Sequence, residues 1–469
     1  MQKKDLKILL IIPSYRKIIY ENTKIKVGRI DSPILSMAVI AAGLLKNGHT
    51  VKILDLNLFD NVQEIILNEI SSYCPGFVGI TVVTPLFNEM VNICKLIKKY
   101  NPDIKIVIGG PHVSSLPEES LLNSEADIAV IGEGDFTIID IVNNKDLKDI
   151  EGIAYKSDGE IKVNVRREQI TNLDILPFPA WQLYDLNKYH TSKLMSRKGP
   201  AGWIETSRGC PFNCCYCNKS VFGRRFRAKS SERVLDEMQY MLDIGFREIH
   251  IADDMFTTDV NRVKEICDGI IKRKLKFPWA TVTGIRVDRG DEEMFKKMAE
   301  AGCYRIYLGI ESGNQSILNL IGKNITLNQV RKTVNMIKKY GMEICGFFMI
   351  ALPGETEKTI EDTINFACEL NLDFAKLTIT TPLPATPLFN DLDKNNRIKT
   401  KDWSKYNLYL PTNYIYDHPN LEWKIIQKYY NKFYRRFYFR ISYILRTLKN
   451  AVLHGNLINY IIYFLKTKW

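Results

Sequence analysis

No stretch of about 20 apolar residues occurs in this 469-residue chain, so none of it reads as a membrane span. No G-x-G-x-x-G follows a strand-like run, which leaves a dinucleotide site without its usual phosphate turn. The C-x2-C run at Cys214–Cys217 has no second run to pair with, so the common zinc spacing is missing. Only Cys74 and Cys94 precede the central cysteines and none follows Cys368, which excludes a second cysteine triplet at either end. Between Trp423 and Trp469 there are ten Lys or Arg and no Asp or Glu, and this segment holds most of the net charge of +12. The rest is nearly balanced. A nucleic-acid enzyme spreads basic residues over its working face, so nucleic acid is not the expected partner.

At this length one core does not suffice, and two domains plus a tail are expected. Four of the ten cysteines crowd one loop and the others are scattered singly. That is the pattern of a metal site in a reducing compartment rather than of disulfides. The run from Leu6 to Ile12 is too short for the apolar region of a secretion signal but fits a buried first strand. A cytoplasmic enzyme is the expectation.

The densest chemistry lies in Thr206-Ser207-Arg208-Gly209-Cys210-Pro211-Phe212-Asn213-Cys214-Cys215-Tyr216-Cys217. Its C-x3-C-x2-C triplet can wrap one loop around a metal centre but falls one thiolate short of a closed four-ligand site. Three packed cysteines, or a zinc loop completed by a distant histidine, would also fit these residues. In a four-iron cluster held this way, one iron stays free for a small molecule. The spacing, the Arg-Gly before it and Tyr216 resemble the radical S-adenosylmethionine (SAM) superfamily. The resemblance implies a [4Fe-4S] cluster on Cys210, Cys214 and Cys217 whose open iron chelates SAM, with Cys215 unligated.

Residues 1–150 alternate short apolar runs (Lys7–Ile12, Val51–Leu54, Phe77–Thr81, Lys105–Ile108, Ile128–Ile131) with amphipathic ones, which predicts an α/β fold with a doubly wound parallel sheet. Ligands of such sheets sit at the carboxyl ends of the strands. The loops there include Gly109-Gly110-Pro111-His112 and Gly132-Glu133-Gly134-Asp135, where glycines let the backbone approach a bulky ligand. They resemble the cobalamin-binding domain that precedes many radical SAM barrels, which implies corrinoid contacts at Gly109, Gly110, His112, Gly132 and Gly134. The D-x-H-x-x-G motif is absent: Asp55 is followed by Leu56 and Asn57. No histidine from that motif is therefore expected below the cobalt.

Residues 151–195 read as an Asp158-Gly159 hairpin and a proline-rich linker, Leu176 to Trp181. Over residues 196–390 six strand–helix units predict a partial (β/α)6 barrel, whose chemistry gathers at the strand ends. Those ends carry the cysteine loop, Asp253-Asp254, Arg286, Glu311-Ser312-Gly313 and Gly346 to Thr356. Paired carboxylates can accept bonds from an ammonium group, and a carboxylate suits two ribose hydroxyls; helix capping is the competing role for Asp254. By resemblance, Asp253 and Asp254 meet the SAM amino group, Arg286 its carboxylate or ribose, and Glu311 and Ser312 its ribose and methionine end. The loop Thr381 to Leu388 resembles the P-x-P-G-T-P-L run of cobalamin-dependent relatives, with Ala385 in place of glycine.

Residues 391–469 form a helical, basic and aromatic extension, either packed on the barrel or lying on anionic lipid. The whole pattern resembles the subgroup that includes anaerobic Mg-protoporphyrin ester cyclases and hopanoid-modifying enzymes. It implies a 5′-deoxyadenosyl radical acting on an unactivated carbon, with methyl transfer from methylcobalamin, or alternatively cyclisation or oxidation of a tetrapyrrole or lipid. It also implies an electron donor such as flavodoxin or ferredoxin, a small-molecule substrate, and peripheral contact with the inner membrane face through the tail.

Overall fold

The computed structural model describes residues 6–16, 32–192, 195–410 and 414–453. Strands β1 (Lys7–Ile12), β2 (Thr50–Asp55), β3 (Phe77–Thr81), β4 (Lys105–Gly109), β5 (Ile128–Val130), β6 (Ile153–Ser157) and β7 (Glu160–Val163) form one sheet in the order β2-β1-β3-β4-β5-β6-β7. The first five are parallel, and β6 and β7 add an antiparallel edge. β1 shows why: from Ile8 to Ile12 every residue is buried, as a strand covered on both faces requires. The Asp158-Gly159 hairpin therefore continues the first sheet past residue 150, and both its turn residues take positive φ.

The second half contributes β8 (Ala201–Ile204), β9 (Ser207–Arg208), β10 (Arg227–Ala228), β11 (Glu248–Ile251), β12 (Trp279–Ile285), β13 (Cys303–Glu311), β14 (Glu343–Ile350) and β15 (Phe374–Ile379). Six of these make a parallel sheet ordered β8-β11-β12-β13-β14-β15, while β9 and β10 pair apart from it. Helices connect the strands. Leu327–Lys339 is typical: Val330, Thr333, Val334 and Ile337 are buried at helical spacing, and Thr326 and Gln329 form its capping box. The opposite face of the sheet carries a separate apolar cluster of Val282, Tyr307 and Cys345 with Trp203 and Phe347 against it. Period-two alternation puts that cluster inside the curved sheet.

The linker is wedged between the halves. The Ala180 N–H donates to Ala38 O at 2.9 Å, Trp181 packs on Phe246, and the Tyr189 hydroxyl donates to Asp55 at 3.0 Å. Asp55 also accepts from the Asn57 backbone and side chain, which holds the turn after β2. The aspartate where a D-x-H-x-x-G motif would begin thus does structural work.

The tail helix Trp423–Tyr438 lies on β15. The Tyr434 hydroxyl accepts from Leu377 N–H and donates to Leu377 O, both at 3.1 Å, and Tyr438 bridges the two groups of Ala375 in the same way. Tyr429, Tyr430, Phe433, Tyr434 and Phe437 are buried, so these rings are withdrawn from the lipid insertion the sequence allowed them. Among the described residues no helix is long and apolar enough to cross a membrane.

Candidate functional site

The cysteine loop leaves β8 at Ile204 and is folded by its neighbours. Gly209 has φ +83°, and a Cβ there would stand 2.2 Å from Arg225 O, so only glycine fits before Cys210. Cys210 N–H donates to Gly223 O at 3.3 Å, and Lys219 Nζ donates to Cys210 O at 3.0 Å. Cys215 is held from both sides, its N–H on Ile321 O and its carbonyl accepting from Leu388 N–H, each at 3.0 Å. Its side chain packs against the main core. Asn218, just past the triplet, donates to Pro384 O at 2.7 Å and to Ser115 Oγ at 2.8 Å. One amide thereby ties the cysteine loop to the proline loop and to the first half.

Burial and the neighbouring Cys214 push the Cys217 thiol up to about 12, with Cys210 and Asp254 adding to the rise and Lys219 opposing it. Three thiolates so placed repel one another, and a cationic iron core would offset that repulsion. Among the described residues no three His, Cys, Asp or Glu side chains converge as ligands of one ion. A cuboidal cluster takes one thiolate per iron, so its ligands need not converge. The donor set fits such a cluster better than a single zinc ion.

The two aspartates divide. Asp253 is fully buried and accepts from Thr206 N–H at 2.6 Å, Thr206 Oγ1 at 2.5 Å and Ser207 Oγ at 2.6 Å. It fixes the start of the cysteine loop and has little left for a ligand. Among the described residues Asp254 accepts from Gly209 N–H alone, at 3.1 Å, and the residue is exposed. Surrounding protein and the charge of Asp253 hold its carboxyl above the usual range. Helix capping falls to Asp259, which accepts from Arg262 N–H. Asp254 is the carboxylate available to an ammonium group.

Arg286 is buried on Asp288, with bonds of 2.8 and 3.1 Å, and donates to Lys323 O at 2.7 Å. Its third nitrogen, Nη1, is buried with no partner among the described residues, as a group awaiting an anion would be. Phe212, between the first two cysteines, lies 3.7 Å from the guanidinium. Glu311 takes φ +67° at a bulge in β13 and pairs with Lys323 at 2.8 Å. Its charge adds to burial in raising the Tyr216 hydroxyl. Ser312 departs from the expectation: it is fully buried, with Oγ 3.1 Å from Thr363 Oγ1 and accepting from Asn314 N–H. Its hydroxyl serves the turn after β13.

A cavity of about 410 Å³ opens where the ends of β3, β4 and β5 face the barrel. Gly109, Gly110, Gly132 and Gly134 line it from the first half, and Trp203, Glu205 and Arg208 from the second. Gly110 has φ +106°, and a Cβ there would stand 2.8 Å from Val82 O. The glycine cradle and apolar walls suit a bulky planar ligand with a long tail. His112 is not part of this lining. It is fully buried between Phe87 and Trp403, with Nδ1 3.3 Å from Thr84 Oγ1, and burial lowers its pKa to about 4. It anchors the loop from behind.

A buried ionic contact between the two halves is not announced by the sequence. Arg208 forks onto Asp135 at 2.8 and 3.0 Å and reaches Glu205 at 2.7 Å, while Arg227 pairs with Glu133 at 2.5 Å. The acidic residues beside Gly132 and Gly134 thus bind arginines from the cysteine loop and its partner strand β10. The arginine before the glycine was visible in the sequence; its partners were not.

A glycine-lined cavity over a parallel sheet, walled in part by Arg208 of the cysteine loop on a parallel strand–helix sheet, is the arrangement of an enzyme that holds one group at the glycine loops and a metal cluster at the cysteines. The B12 binding domain profile matches residues 28–142 and the Radical SAM superfamily profile residues 204–367. The uncharacterized methyltransferase PH0819 of Pyrococcus horikoshii is 36% identical over 410 residues, 86% of each chain. The anaerobic magnesium-protoporphyrin IX monomethyl ester cyclase of Rubrivivax gelatinosus is 28% identical, covering 80% of this chain and 68% of its own. Among solved structures, the cobalamin-dependent S-adenosylmethionine radical enzyme OxsB with aqua-cobalamin bound shares the fold, with a TM-score of 0.74 and 20% identity over 99% of this chain and 72% of that one. The chain belongs to the radical SAM superfamily, in the branch that carries a B12 binding domain, and its cofactors are a [4Fe-4S] cluster, SAM and cobalamin.

Proposed function

We propose that the protein is a cobalamin-dependent radical SAM methyltransferase acting on an unactivated carbon of a small molecule. When bound, the cluster with SAM would supply the means to take a hydrogen from an unactivated carbon, and the corrinoid would supply the methyl group. Cys210, Cys214 and Cys217 hold the cluster, and Asp254 takes the amino group of SAM. Arg286 offers its unpaired Nη1 to the carboxylate, while Glu311, fixed by Lys323, orients the ribose. Gly109, Gly110, Gly132 and Gly134 cradle the corrinoid.

The observation that carries this reading is the position of Arg208. It lines the corrinoid cavity and directly precedes Gly209-Cys210, so the methyl carrier and the radical source share one face of the barrel. Identity of 36% to an uncharacterized methyltransferase, against 28% for the cyclase, favours methyl transfer over ring formation. The apolar interior around Trp203, Val282, Tyr307 and Phe347 suits a substrate with an apolar body, such as a lipid or tetrapyrrole. A low-potential carrier of the flavodoxin or ferredoxin kind provides the electron. Incubation of cell extract with methyl-deuterated SAM tests the proposal. A product gaining the labelled methyl, with 5′-deoxyadenosine and S-adenosylhomocysteine rising together, supports it; 5′-deoxyadenosine without S-adenosylhomocysteine would favour cyclisation.

A further inference from the structure

The terminal helix Ile441–Leu453 carries an apolar stripe that nothing described covers. Ile441, Ile444, Leu445 and Leu448 are 77, 39, 62 and 45% exposed, and their spacing puts them on one face. The opposite face is fixed. Tyr443 is buried with its hydroxyl donating to Asp373 O at 3.0 Å, and Arg446 donates to Asn371 O at 2.8 Å and Leu372 O at 2.5 Å. The stripe is therefore held outward by bonds on the inner side, and Phe439 adds an exposed ring just before it.

We infer that this stripe is a docking face for an anionic lipid surface. Three observations select that occupant. First, from Trp423 to the end of the chain every charged residue is basic. Second, Lys424 and Arg435 are exposed on the preceding helix, while Lys432 and Arg436 only partly spend their charge on the single carboxylate of Glu361. Third, the sequence after the helix, Leu457-Ile458-Asn459-Tyr460-Ile461-Ile462-Tyr463-Phe464-Leu465, is apolar at eight of nine positions and ends in Lys466 and Lys468. An exposed apolar stripe on a segment whose own charges are all basic matches the boundary of an anionic bilayer. The inference does not depend on the catalytic reading.

Flotation of the full chain with phosphatidylcholine vesicles, with and without phosphatidylglycerol, at low and high salt, is the test. Recovery with anionic vesicles should exceed that with neutral ones and fall as salt rises. A variant combining Ile441→Ser, Ile444→Ser, Leu445→Ser and Leu448→Ser should lose roughly tenfold in vesicle affinity. These four side chains are exposed, so 5′-deoxyadenosine formation by the variant should match the parent and report intact folding. Equal recovery with neutral and anionic vesicles, or a variant that floats like the parent, overturns the inference. So does a parent that is dimeric by light scattering, does not float, and becomes monomeric in the variant, which would make the stripe a contact between copies.

Discussion

The guanidinium of Arg208 forks onto the carboxylate of Asp135, with nitrogen–oxygen distances of 2.8 and 3.0 Å and both side chains buried. One partner stands two residues before the first cysteine, and the other stands in the first turn of the helix Gly134–Val142, which opens beside the glycine-lined cavity. A planar, two-bond contact thereby ties the glycine-lined cavity to the cysteine loop.

Breaking that contact should therefore harm both sites. Arg208→Met leaves Asp135 and Glu205 buried without their cation, at a cost of about 3–5 kcal/mol. Arg208→Lys keeps the charge but not the fork and should lose less. Anaerobic denaturation would read the stability. Retention of hydroxocobalamin after gel filtration, alongside iron content, would read the coupling. Loss of iron with full corrinoid retention would show that the two sites are independent.

Cys210→Ala, Cys214→Ala and Cys217→Ala should each abolish cluster assembly and 5′-deoxyadenosine formation. Cys215→Ala should leave both largely intact, because its side chain packs in the core and its backbone, not its sulfur, makes the loop contacts. Iron and sulfide analysis after anaerobic reconstitution separates the two outcomes. A Cys215 variant as empty as the others would mean that the ligand set is misassigned.

Much of this was legible from the chain. Continuous apolar runs such as Ile8–Ile12 mark buried parallel strands without knowledge of their partners, and the cysteine spacing marks its loop. What stayed hidden depended on partners far away in sequence. Glu133 and Asp135 look like solvated acids until Arg208, 73 residues later, is folded against them. His112 looks like a ligand until Trp403 closes over it. The aromatics of Trp423–Tyr438 announce an amphipathic helix, yet nothing local says that their hydroxyls will bridge the backbone of an edge strand.

Glu355 makes stability depend on pH. Burial raises its carboxyl from the ordinary 4.5 to about 8, against the lowering effect of bonds from Leu352 and Ala351 N–H. The folded chain keeps the proton up to about pH 8, whereas the unfolded chain releases it near 4.5. The contribution is thus full below pH 4.5 and is lost as pH rises through 8, at up to about 1.4 kcal/mol per unit. Glu355→Gln, which mimics the protonated form, should equal the parent near pH 4 and exceed it by roughly 2–4 kcal/mol at pH 8. Parallel urea titrations across that range would check it, and parallel pH profiles for the two proteins would refute it.

Ala385 holds φ +60° in the loop Thr381 to Leu388, at the position where the resembling run has glycine. The loop keeps the left-handed conformation despite the Cβ, and that costs about 1 kcal/mol. Ala385→Gly should relieve the strain, less the chain entropy glycine adds when unfolded, for a net gain of no more than about 1 kcal/mol. A denaturation midpoint lower than that of the parent would show that the Ala385 methyl group makes a packing contact worth more than the strain.

The bridging tyrosines supply the last test. β15 is the outer strand of its sheet, and an outer strand offers unpaired N–H and carbonyl groups along its free edge. The Tyr434 hydroxyl satisfies both groups of Leu377, which is buried, and Tyr438 does the same for Ala375. Tyr434→Phe keeps the ring and its packing but leaves one donor and one acceptor in a dry place, at a cost of about 1–3 kcal/mol for each group left unpaired. Tyr438→Phe should cost a similar amount. The pair should fall short of additivity, because release of the edge by one loosens the helix for the other. If neither change moves the urea midpoint, water reaches the edge and the helix is held by its buried rings alone.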